Sequence, residues 1–165
     1  MMNTWLGKRT LPVAIALLPL CGTQMSALAQ STQQQGQQEQ QGIEGVWDVR
    51  ITFVRCDTGT ATGTGPRAMI MYSDGGGLTS VSANSRQSAS VGSWHHVRER
   101  NYTAVDRIFL FNADGSFRGS EAITRDIELS RDGDEYTATA TSEAFDPTDH
   151  LIGTGCSTST DTRLE

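Results

Sequence analysis

The chain has 165 residues, 13 Lys and Arg against 19 Asp and Glu, and a net charge of −6. Lys8 and Arg9 fall in the opening segment, so residues 30–165 keep 11 arginines, no lysine and all 19 carboxylates, a balance of −8. An acidic chain with scattered single arginines argues against nucleic acid and anionic membrane surfaces as partners.

Residues 1–29 carry Lys8 and Arg9, the apolar run LPVAIALLPLCG and the small-residue site Ala27-Leu28-Ala29. That is the pattern of a secretory signal peptide cut before Gln30. The run is too short and too interrupted by proline to span a bilayer as a helix, so no stable membrane insertion is expected. Cys21 raises lipidation as an alternative, although Leu20 before it is bulkier than such a cleavage site tolerates. Residues 30–42, QSTQQQGQQEQQG, offer no apolar side chain to a core and read as a flexible Gln-rich linker. The folding unit is then residues 43–165, one small exported domain, periplasmic or extracellular. Only Cys56 and Cys156 remain in it, an even pair that reads as a disulfide closing a long loop.

No helical periodicity is sustained after Gly42; alternating segments are separated by turn chemistry at short intervals. Residues 43–55 form the first strand, with Trp47, Val49, Ile51 and Phe53 on one face. The Gly/Thr-rich stretch 56–65 reads as a loop, 66–73 as strand two, and 78–83 as strand three after Asp74-Gly75-Gly76-Gly77. Residues 84–90, NSRQSAS, read as a mobile loop at one end. Strand four is 91–98, and strand five, 102–112, is partly apolar on both faces. Strand six, 117–130, alternates with Phe117, Gly119, Ile123, Ile127 and Leu129 on one face; strands seven and eight occupy 135–145 and 151–164. Eight long strands joined mostly by short hairpins favour an all-β, eight-stranded antiparallel up-and-down barrel, because a flat sheet of this size leaves two long edges. A β-sandwich is the alternative.

Gly45-Val46-Trp47 at the first strand resembles the G-x-W signature of the calycins, which include lipocalins, avidins and bacterial metalloprotease inhibitors. Gly92-Ser93-Trp94 repeats the spacing in strand four. The resemblance implies that Trp47 closes the narrow end of the barrel and that Arg163, at the end of the last strand, packs across the indole as a cation–π contact. No T-D-Y-like triplet lies between strands six and seven, and the loop after strand one is shorter than a lipocalin lid. The likeness is therefore to a compact calycin-like barrel rather than to a true lipocalin.

With the Trp47 face inward, Glu121 and Arg125 share the parity of Ile123 and Ile127 and point into the barrel. Charges there are costly unless paired or solvated. Four residues apart on one strand they stand ~13 Å from each other, so each needs another partner, a ligand or water; a twist that wets the ends of strand six is the alternative. Tyr136, Ala138, Ala140 and Ser142 share a face whose small residues leave volume, unless Trp47, Phe53 and Phe109 fill it. Candidate ligand contacts are Glu121, Arg125, Tyr72, Trp94, His96 and Ser142. His95 and His96 point to opposite faces and His150 lies far along the chain, so no zinc spacing exists and neither metal nor cofactor is expected. No G-x-S-x-G elbow occurs, and no catalytic residue is nominated.

The function these features suggest is a secreted, lipocalin-like barrel binding a small apolar or amphipathic ligand. Two alternatives stand beside it. One is a protein-interaction module resembling the metalloprotease inhibitors, with residues 30–42 entering the cleft of a protein partner. The other is a barrel isomerase or cyclase using Glu121 as acid or base.

Overall fold

The computed structural model describes residues 42–164. The expected signal peptide, Cys21 and residues 30–41 of the linker lie outside the described residues. Eight antiparallel strands close into a barrel: β1 (Gly45–Val54), β2 (Ala61–Tyr72), β3 (Gly77–Ser82), β4 (Ser90–Arg98), β5 (Asn101–Phe111), β6 (Phe117–Leu129), β7 (Glu135–Phe145) and β8 (Leu151–Leu164). Each strand pairs with the next, and β8 returns to β1 from Val46↔Leu164 to Val54↔Cys156. Closure removes the sheet edges and rules out the sandwich. Among the described residues no helix is long and apolar enough to cross a membrane.

Three local features differ from the sequence expectation. The Gly/Thr-rich residues from Ala61 belong to β2, since Val54 pairs with Ala61 and Thr52 with Thr64. A first strand running to Val54 needs partners for its backbone groups, and that demand outweighs the weak strand preference of glycine. The polar segment 84–90 is not a free loop. Ser88 N donates to Phe109 O (3.0 Å), Phe111 N donates to Arg86 O (2.9 Å), and Gln87 bridges to Leu110. It continues the β4 edge alongside β5.

The third is a bulge at the start of β6, where Leu110 faces Gly119 but Phe111 faces Phe117. Gly119 has φ +138°, and a Cβ there would run into the Phe145 carbonyl. The bulge reverses the inward–outward phase. Phe117 therefore lies on the outer wall, 47% exposed, its ring centroid 5.8 Å from that of Phe109. Phe109 is outside as well, 53% exposed, because Tyr102, Ala104, Asp106, Ile108 and Leu110 are the inward set of β5. It cannot fill the interior.

The core occupies one end of the barrel. Trp47 is fully buried, its indole N–H donates to Ile43 O (2.8 Å), and its ring meets Tyr136 edge-on at 4.7 Å. Tyr72, Trp94 and Tyr102 extend this aromatic cluster, with Ile70, Leu78, Ile127 and Leu129 packed around it. Arg163 covers the bottom, its guanidinium 4.2 Å from the Trp47 ring centroid. The same group donates to the carbonyls of Gly133 (2.8 Å), Glu44 (2.5 Å) and Gly42 (2.7 Å). At the other end a disulfide joins Cys56 to Cys156 with a Cα separation of 5.2 Å.

The Trp47→Ala variant removes the centre of this plug. It is expected to cost about 3–5 kcal/mol, read as a lowered urea midpoint for unfolding; an unmoved midpoint would show that the indole is not packed.

Candidate functional site

Above the aromatic plug the interior is not filled. β7 and β8 turn Ala140, Ser142, Ala144, Ser157 and Ser159 inward, and none of these reaches the opposite wall. The result is a cavity of about 440 Å³ that extends to Phe53, Gln87 and Thr154 at the mouth. Val49, Ile51, Phe53, Ile108 and Ile123 give it apolar walls on β1, β5 and β6. The disulfide sits at the same end, with Cys156 part of the lining.

Charged groups lie at and beneath the wall. Arg125 lines the cavity, and its Nη1 donates to Asp106 Oδ1 across the β5–β6 ladder. The Asp106 side chain is fully buried and that of Arg125 is 12% exposed. Burial alone would lower the Arg125 pKa; the adjacent Asp106 carboxylate outweighs burial and holds it above the ordinary value. The pair fits because Gly92 faces Asp106 on β4. A Cβ on Gly92 would come within 2.6 Å of the Asp106 Cα and Cβ and would also strike the Val105 carbonyl. The second oxygen, Asp106 Oδ2, is buried and has no hydrogen-bond partner among the described residues. An orphaned acceptor of this kind costs about 1–3 kcal/mol.

Asp161 on β8 is the other buried acid. Its Oδ2 accepts from the Ser159 hydroxyl (2.7 Å) and its Oδ1 from the Arg50 N–H (3.2 Å). Burial pushes its pKa up to about 6, against the lowering effect of those bonds. Tyr136 and Tyr72, whose hydroxyls lie 3.3 Å apart, are also shifted upward, chiefly by burial: Tyr72 to about 12 and Tyr136 well above its ordinary value. A band of polar groups thus separates the aromatic plug from the open chamber.

The six candidate ligand contacts divide between two levels of the barrel. Glu121, Arg125 and Ser142 line the cavity. Tyr72 and Trp94 belong to the plug, and Trp94 Nε1 donates to Ser73 O (3.0 Å). His96 lies exposed near the sealed end, where its Nε2 donates to the Glu99 carbonyl (2.8 Å) and its ring packs near Tyr102. Two residues of the polar band escaped the sequence reading. Asp106 was visible as an acid at the same parity as Tyr102, Ala104 and Ile108. Asp161 shares the parity of Ser157, Ser159 and Arg163, on a face of β8 made of glycine and polar residues from Gly153 onward. Arg125 needs no partner on its own strand, because Asp106 supplies one from the next.

Among the described residues there is no group of three or more His, Cys, Asp or Glu side chains that could hold a metal ion. Compared with known proteins, the chain matches no family model, no curated protein and no solved structure.

The buried Asp161 sets a pH dependence of stability. Its folded-state pKa stands above the unfolded value of about 4, so the folded state holds the proton more tightly. The contribution of Asp161 is therefore fully present below pH about 4 and is lost as pH rises to about 6 and beyond. Asp161→Asn is expected to raise the unfolding free energy relative to wild type by roughly 2 kcal/mol at pH 8 and to give little difference at pH 4. Urea titrations at the two pH values check this; a destabilising effect equal at both would contradict it.

Proposed function

We propose that the protein is an exported, calycin-like binding protein that holds a small amphipathic molecule in the open half of its barrel. The observation that carries the reading is the setting of Arg125. Its guanidinium faces a chamber with aliphatic walls on β1, β5 and β6 and small, serine-bearing walls on β7 and β8, and among the described residues Asp106 is the only side chain to which it donates. Nitrogen donors left over in such a place suit a ligand with one polar end and an apolar body. The chamber, at about 440 Å³, falls within the range of about 300–1,000 Å³ in which small-molecule sites occur.

The calycin comparison is supported by the eight-stranded closure and by Arg163 lying across Trp47. Export is supported by the Cys56–Cys156 bridge, which persists in oxidising compartments.

Protein isolated natively from its host is expected to carry a non-covalent mass in native mass spectrometry, lost after unfolding and refolding. The emptied barrel should then enhance the fluorescence of N-phenyl-1-naphthylamine, an uncharged polarity-sensitive probe. A bare native mass together with no fluorescence change would refute the reading.

A further inference from the structure

The cavity is biased in charge as well as in polarity. One guanidinium, Arg125, stands on the inward positions around it against three carboxyl groups. Asp106 touches Arg125 directly. Asp161 lies behind the wall, joined to the lining by the Ser159 hydroxyl. Glu121 lines the chamber nearer the mouth, beside Ile108 and Ala144 in the neighbouring strands.

An anionic head lowered toward Arg125 passes Glu121 and arrives at a cation that Asp106 already neutralises. Repulsion from like charge is magnified where water is scarce. A cationic head is drawn instead to Glu121 nearer the mouth, which leaves the donors on the floor unused. What the floor leaves open is hydrogen-bond donation, from the Arg125 N–H groups not turned to Asp106 and from Ser157 at the wall. An uncharged acceptor takes those donors without adding to the charge.

We propose that the cavity selects amphiphiles bearing an uncharged carbonyl, such as an amide or ester on a medium-length apolar chain, over their carboxylate counterparts. The carbonyl oxygen accepts from the Arg125 guanidinium, and the chain lies along Ile51, Phe53, Ile108 and Ile123. The inference rests on the reading that the chamber holds a ligand, and it goes further by naming the ligand's class.

Calorimetric titration of the disulfide-bonded protein at pH 8 with decanamide and sodium decanoate tests it. Decanamide is expected to bind about tenfold more tightly than decanoate, the scale set by a unit charge a few ångströms away in a partly screened site. Glu121→Gln should raise the affinity for decanoate severalfold relative to decanamide. A double variant, Arg125→Met with Asp106→Leu, removes the pair together so that no charge is left alone in the interior; it should lose about tenfold for decanamide. Decanoate binding as tightly as decanamide would overturn the selectivity while leaving ligand binding in place. Failure of both probes to bind would overturn the binding reading and this inference with it.

Discussion

The seam between β1 and β8 is the constraint on which the rest of the barrel depends. Every other ladder joins strands adjacent in sequence, whereas this one brings together residues more than 100 positions apart, as in Val54↔Cys156. Closing a loop of that length carries the largest entropic cost of any pairing here. The seam is fastened at both ends. At the bottom Trp47 faces Arg163 in register, and the guanidinium both lies on the indole and gathers the carbonyls of Gly42, Glu44 and Gly133. At the top Cys156, opposite the last residue of β1, is bonded to Cys56 just beyond that strand. A bridge spanning a loop this long is worth about 4–5 kcal/mol in the chain-entropy treatment.

Between these fastenings the interior divides by side-chain size. The lower half receives Trp47, Tyr72, Tyr136 and the large aliphatics, and it packs solid. The upper half receives Ala140, Ser142, Ala144 and Ser157 from β7 and β8, and it stays open. Asp106, Arg125, Asp161 and the paired tyrosine hydroxyls lie at the boundary. Buried charges are seldom the most stable filling for such a layer, and an orphaned carboxylate oxygen makes this one more costly still. The polar floor thus lowers stability where the interior opens, and it is there that the proposed ligand would find its donors.

Strand alternation made the barrel legible, because the period of two survives in nearly every strand. Parity tells which side chains face inward, and it points Glu121 and Arg125 into the barrel, where both line the chamber. It does not tell how high along the axis each one sits. That height follows from stagger and tilt across all eight ladders, a non-local property. Residues sharing an inward parity are therefore dispersed between the plug and the chamber. Asp106 was obscured for a different reason: beside Arg107 and close to Arg100 it looks like punctuation in a basic stretch, and only its strand phase marks it as interior. Asp161 is hidden among serines and threonines that show no apolar alternation. The reversal at Phe117 depends on the bulge at Gly119, where one extra residue changes every assignment before it.

The seam is tested most directly by solution NMR of the Arg163 side chain. With the guanidinium stacked on Trp47, the Arg163 side-chain protons next to it should be shifted upfield by the ring current and show nuclear Overhauser contacts to the indole, with cross-strand contacts continuing between Val49 and Asp161. Arg163 resonances at ordinary unstructured positions, without contacts to Trp47, would contradict the closure on which both the sealed end and the chamber depend.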